Sequence, residues 1–485
     1  MFRTIAICVL MTGVWATVGI AEPPLPAGLE PAAEPRDEPA LPEGLEPAAE
    51  PRDEPALPEG LEPAQEEPPL PPGLMPDDDP DEPDPPAERR PAPPLEFYGF
   101  WDMRAGGRMV SDSTQSKDAT LGEMRLQLRT DKSWDNAFIE FTGDGVFDAV
   151  EERARVDIRQ LRLTWSPWDT VDIRLGRQVL TWGTGDMLFI NDLFPKDWVS
   201  FFSGRDEEYL KAPSNAARVG WYNDVMNVEV VYSPRFDADR YITGKRFSYY
   251  SPLHGRTVGR DNQQRTNEPR DWFNDDEVAL RLYRSVGRAQ LAFYGYAGYW
   301  KSPGGMQLIP NEATFPRLRV YGASLRGAIG QGIGNIEVGY YDSHQDRRGT
   351  NPFLNNSEIR LLLGYEREIG RELTAGIQYY LEYMMRYGNY KDALPFFMTP
   401  RDRDRHVFTV RLTKLLMNQN LRLSLFAYAS PSDKDVYLRP NINYSLSDNW
   451  TLEAGANIFF GADKATFFGQ FKNNTNVYAA ARLSF

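Results

Sequence analysis

The chain has 485 residues, 25% of them charged, and a mean hydropathy of −0.52; beyond residue 21 it has no run of roughly 18 apolar residues, which excludes a helical membrane protein. Aromatics nevertheless reach 13%, with 24 Tyr, 26 Phe and 11 Trp, as expected of membrane-barrel strands whose alternating polarity dilutes the mean. The net charge of −15 is uneven: residues 22–95 carry 21 acidic and 4 basic side chains, whereas 96–485 carry 48 and 49, so the acidity belongs to the N-terminal segment.

Residues 1–21 read as a signal peptide. Arg3 supplies positive charge, Ile5 to Val18 the apolar stretch, and Gly19 and Ala21 the small residues before a cleavage site. The single cysteine, Cys8, lies inside this peptide, so the mature chain is expected to have no disulfide and no thiolate metal site; no motif in the sequence calls for a cofactor, and none is expected.

Residues 22–95 form an acidic proline-rich tail. A 16-residue repeat begins at Glu22, Glu38 and Glu54, with a degenerate copy from Glu67, and 24 of the 38 prolines fall here. Proline fixes its own φ and lacks an amide donor, so an extended, disordered, polyproline-like periplasmic chain is expected. At about 3.1 Å per residue it would reach on the order of 200 Å. It reads first as a spacer. LPxGL, recurring at Leu25, Leu41, Leu57 and Leu70, would alternatively make weak multivalent anchors for a periplasmic carrier or inner-membrane transporter. The acidic run from Asp77 to Asp84 reads as solvated charge, because prolines interrupt any fixed coordination shell.

From Glu96 to Phe485 the sequence alternates with period two. In 373–382, Leu373, Ala375, Ile377, Tyr379 and Leu381 share one face, and Thr374, Gly376, Gln378, Tyr380 and Glu382 the other. Such segments predict about 18 strands, near 96–110, 119–130, 136–147, 155–166, 170–180, 216–222, 225–232, 276–285, 288–299, 317–329, 334–342, 357–367, 372–386, 404–416, 420–429, 435–446, 450–460 and 475–485. Connections such as SPWDT, SVGR, QGIGN and MNQN are short and alternate with longer ones. The fold class is therefore all-β, a transmembrane antiparallel up-and-down barrel of the bacterial outer membrane, in contact with its lipid and lipopolysaccharide.

Two long connections stand out. Thr181 to Asn215 is apolar enough to fold into the lumen as a constriction, with Trp182, Asp186, Phe189, Asp192, Phe194, Lys196 and Trp198 as its candidate residues. Ser233 to Asp275 is polar and arginine-rich, and reads as a solvated surface loop. The last strand, with Tyr478 inward and Phe485 terminal, resembles the signal that barrel-assembly machinery recognises.

Arginine outnumbers lysine 38 to 11 in 96–485. Arg125, Arg129, Arg159, Arg162, Arg174, Arg177, Arg281, Arg360, Arg411, Arg422 and Arg482 are read as inward-facing, forming an anionic solute path through the lumen. The competing structural reading pairs them with inward acids such as Glu140, Asp157, Glu337 and Glu382. Catalysis has little support: only His254, His344 and His406 exist, and no GxSxG, HExxH or Walker pattern occurs. Nothing points to nucleic acid.

At RLGRQVLTWGTGD, Arg174 to Asp186, and NDLFPKD, Asn191 to Asp197, the chain resembles a proteobacterial family of outer-membrane barrels of unknown function, itself similar to alginate-export porins. Gly176, Arg177, Gln178 and Gly183 match best. The resemblance implies a setting beside an MMPL or RND-type inner-membrane transporter and a LolA-like carrier, and hence export of lipid or another hydrophobic molecule. The repeated tail is not part of that pattern. The expected function is a non-enzymatic transport barrel for an anionic or amphiphilic solute, gated by 181–215. The alternative is a closed adaptor barrel of a lipid-export system that tethers a periplasmic partner through its tail.

Overall fold

The computed structural model describes residues 96–396 and 398–485; the segments read as signal peptide, 1–21, and as tail, 22–95, lie outside the described residues. Eighteen strands form one sheet. In chain order they are β1 (Tyr98–Arg108), β2 (Ala119–Ser133), β3 (Ala137–Asp148), β4 (Arg153–Trp168), β5 (Val171–Val179), β6 (Pro213–Trp221), β7 (Asn227–Ser233), β8 (Glu277–Val286) and β9 (Ala289–Tyr299). The second half comprises β10 (Arg317–Ile329), β11 (Gly332–Ser343), β12 (Glu358–Gly370), β13 (Leu373–Met384), β14 (Asp404–Leu416), β15 (Leu421–Ser430), β16 (Asp435–Ser445), β17 (Trp450–Gly461) and β18 (Asn476–Ser484). Each strand pairs antiparallel with its neighbour in sequence, and β18 returns to β1, with Phe100 opposite Ser484 and Arg108 opposite Asn476. The sheet is a closed barrel without an unpaired edge.

Alternation decides the two faces. On β13, Ile377 is 57% exposed on the outside, while Gln378 and Tyr380 are buried inside. Outward aromatics collect at both ends. Trp101, Trp134, Trp165, Trp168, Trp221 and Trp450 ring the short-turn end, and Phe147, Tyr321, Tyr340, Tyr383, Phe408 and Phe460 the long-loop end. Between them lie Leu163, Leu325, Ile336, Leu363, Ile377 and Ile442, an apolar belt suited to lipid between two interfacial girdles.

The hydrophobic core lies inside the barrel. Trp182, Ile190, Phe194, Phe201 and Phe202, all from the β5–β6 connection, pack with Tyr294, Tyr341, Tyr428, Tyr437 and Phe459 of the wall. That connection, 180–212, contains the short helix α1 (Trp198–Ser203), whose first turn is capped by Asp197 accepting from the Ser200 N–H at 2.7 Å. The arginine-rich β7–β8 connection departs from the solvated loop expected of it. Arg246, Phe247 and Ser248 are buried, and the Arg246 guanidinium pairs with Asp148 and donates to the Thr120 carbonyl at 2.7 Å. Its arginines meet carboxylates on the wall, which a reading of loop polarity alone does not register.

Candidate functional site

The segment 180–212 crosses the lumen and is pinned on opposite sides. At its tip, the N–H groups of Thr184, Gly185 and Asn191 all donate to the Glu337 carboxylate of β11, the last two at 2.8 and 3.3 Å. The Asn191 side chain donates to the same group at 3.1 Å. Asp186 takes a two-point contact from Arg411 of β14, Nε to Oδ2 at 2.5 Å and Nη2 to Oδ1 at 2.9 Å, while its backbone exchanges two hydrogen bonds with Gln378. Fork-to-carboxylate pairing fixes direction as well as distance. Nearby, Tyr428 donates to the Met187 carbonyl at 2.8 Å and Tyr341 to that of Ile190 at 2.5 Å.

The other end of the segment reaches β1, β2, β4 and β18. Arg104 donates to the Gly204 carbonyl at 2.8 Å, and Arg205 grips Glu123 through Nε at 2.9 and 3.0 Å. Burial opposes the Arg205 charge, but Glu123, Asp197 and Asp148 overcome that penalty and hold the guanidinium above its ordinary range. Arg125 and Arg159 lie over the Tyr209 ring at 4.0 and 4.3 Å. Two positions at this contact need glycine: a Cβ at Gly322 of the wall would overlap the Asn191 side-chain oxygen, and one at Gly204 of the segment, where φ is +87°, the Tyr478 ring.

The remaining residues singled out in the segment are brought together near its middle. Trp182 and Phe194 meet edge to face at 5.0 Å, and Trp182 Nε1 donates to Glu229 at 2.9 Å. Lys196 pairs with Asp192 at 2.9 Å and lies over the Phe189 ring at 4.7 Å. Asp239 of the β7–β8 connection locks this region from outside, accepting from the Lys196 N–H at 2.7 Å, Trp198 Nε1 at 3.1 Å and the Ser302 hydroxyl at 2.6 Å. Burial nevertheless pushes its carboxyl above the usual range, outweighing those donors. Phe189, Phe194 and Trp198 floor a cavity of about 1170 Å³ whose walls carry Arg360, Glu382, Arg401 and Arg405.

The proposed path arginines divide by height. Arg125 and Arg159 are buried beneath the in-folded segment, which they hold, and do not line an open path. Arg360 pairs with Glu358 at 2.7 Å, and Arg482 with Asp102 at 2.9 Å. Towards the short turns, Arg129 and Arg162 share Glu140 at 2.9 and 2.6 Å, and Arg281 approaches Glu229 at 3.8 Å. Arg422 is exposed there as well. Arg177 does not face inward. It stands opposite outward Leu161, and its Nε donates to the Ile158 carbonyl at 2.7 Å. It is three positions on from inward Arg174, an odd step, so a period of two puts them on opposite faces. Tyr478 faces inward, and its hydroxyl accepts from Asn441 at 3.1 Å; the Phe485 backbone exchanges hydrogen bonds with Gly99 at 3.0 Å across the closing seam.

Several functional groups were not anticipated. Arg218, between outward Val219 and Ala217, is legible from alternation and pairs with Glu229 at 2.6 Å. Arg205 and Arg246 lie in aperiodic segments, where no pattern tells inside from outside.

The closed antiparallel barrel, apolar belt and paired aromatic girdles define a β-barrel protein of the outer membrane. No protein-family model matches the chain, nor does any curated protein. Among solved structures it is similar to in-vitro folded OmpT, an outer-membrane protein of Vibrio cholerae in trimer form, at 10% identity, covering 81% of this chain and 99% of that one, with a TM-score of 0.38. It is also similar to a triple-mutant porin of Rhodopseudomonas blastica, at 9% identity, 81% and 100% coverage, and a TM-score of 0.36.

Proposed function

We propose that this chain is a non-enzymatic outer-membrane transport barrel for an anionic or amphiphilic solute, held closed here by the segment 181–215. The short turns face the periplasm, and the tail at 22–95 serves there as a spacer; its use as a tether for a periplasmic carrier or inner-membrane transporter belongs to the adaptor reading. The supporting observation is the form of the closure: beside the buried Met187 and Ile190, the tip is anchored by polar contacts to Glu337, Gln378 and Arg411. Such contacts exchange readily for water or solute once the segment moves.

The adaptor barrel is the second reading, favoured by the buried charge cluster of Glu123, Asp148, Arg205 and Arg246. Single-channel recording in a planar bilayer separates the two. The transport reading expects the full chain to conduct weakly or in bursts, and Glu337→Ala with Arg411→Ala to give steady, anion-selective current. Silence in both, with folding verified by heat-modifiable mobility, would leave the adaptor.

A further inference from the structure

Arg174 and Arg218 stand directly opposite each other on the inner face of β5 and β6, and Arg162 on β4 is the diagonal neighbour of Arg174, opposite Gly176. Like charges in register destabilise a sheet. The flanking carboxylates do not resolve the conflict. Glu140 is divided between Arg129 and Arg162, and Glu229 between Arg218, Arg281 and the Trp182 indole. Asp172 accepts from the Ser166 hydroxyl at 2.6 Å. Arg174 has neither an ion pair nor a hydrogen bond among the described residues, and the Nε of Arg162 and of Arg281 are buried without a partner. Five guanidiniums thus face four carboxylates across adjacent strands, counting Asp131 opposite Glu140, and none of the four reaches Arg174. Arg174 is three residues above the short turn at Asp169 and Thr170, on the order of 10 Å into the lumen.

We infer that Arg162, Arg174 and Arg218 form a binding site for a phosphate group entering from the short-turn side. A tetrahedral dianion offers several acceptor oxygens to guanidiniums converging from three strands, and it removes the repulsion that the empty wall carries. This deepens the transport reading, on which it rests for its role, by naming the head group taken and the mouth at which it is taken. The phosphate is borne either by a small soluble ester or by a lipid.

The test is calorimetric titration of the full chain, in zwitterionic detergent, with glycerol 3-phosphate and separately with lysophosphatidic acid. Wild type is expected to bind at least one, and Arg174→Gln to weaken binding about 10-fold, the scale of a charged hydrogen bond; Arg177→Gln, on the outer face, should leave it unchanged. Binding of the soluble ester assigns the site to free solute, and binding of the lysolipid alone to a lipid head group. Without ligand, Arg174→Gln should raise the barrel's melting temperature by relieving the like-charge contact. No binding by wild type, equal binding by Arg174→Gln, or a lower melting temperature in that variant overturns the site. Because binding is read without current, a silent channel would defeat the transport reading and leave this one standing.

Discussion

The lumen has two halves built on the same wall pattern but different electrostatics. Towards the long loops, guanidiniums and carboxylates are buried in pairs: Arg205 with Glu123, Arg246 with Asp148, and Arg125 with Asp144 at 2.5 Å. Towards the short turns the arginines remain partly exposed, at 54% for the Arg129 side chain and 20% for Arg162, and outnumber their acids. A buried charge must be paired because removing it from water costs several kcal/mol, whereas a hydrated one tolerates imbalance. The in-folded segment makes the difference: it excludes water from one half and leaves the other as a wet, basic cup.

The sharpest way to break the comparison is to remove one carboxylate from each half. Glu123→Ala removes the main partner of Arg205 in a dry environment, while Arg125 and Arg246 keep Asp144 and Asp148, and a loss of about 3–5 kcal/mol is expected. Glu140→Ala leaves Arg129 and Arg162 in contact with water and should cost about 1 kcal/mol or less. Thermal unfolding monitored by heat-modifiable mobility measures both, and equal losses would mean that the two halves are equally dry.

Next in size is the closure itself. Glu337→Gln keeps shape but removes the charge that gathers three backbone donors and the Asn191 amide; a loss of about 2 kcal/mol in docking is expected, with little effect on the barrel. Gly322→Val should act alike by steric means, since any Cβ there meets the Asn191 side chain. Protease sensitivity of 180–212, compared with that of the barrel, reads both. Barrel unfolding alongside release would show the segment to be core rather than closure.

The wall was legible because a strand repeats every two residues: all 18 predicted strands lie within three residues of those observed, and the Ile377/Gln378 alternation fixed their faces. Height was not legible. Arg125 and Arg174 occupy the same kind of alternating position, yet one is buried under Tyr209 and the other faces solvent, a difference made by an aperiodic segment that covers the first and not the second. The aperiodic connections hid most. Ser233 to Asp275 reads as surface by composition, and its burial follows from Asp148 and Asp157, which take Arg246 and Arg240.

The smallest expected effect concerns the outer lock. Because burial raises the Asp239 carboxyl above its unfolded value, the folded form binds its proton more tightly. The stability this provides is complete below the unfolded carboxylate value, near 3.9, and is lost as pH rises through the raised folded value. Docking of the β7–β8 connection over Lys196 and Trp198 should therefore weaken as pH rises above about 4. Tryptophan fluorescence cannot isolate Trp198 among 11 indoles, so the better readout is proteolysis at Arg235 to Arg246 across that range. Asp239→Ala should abolish the pH dependence and expose the connection at every pH. An unchanged profile in that variant would place the titrating group elsewhere and leave Asp239 as a permanently charged acceptor of its three donors.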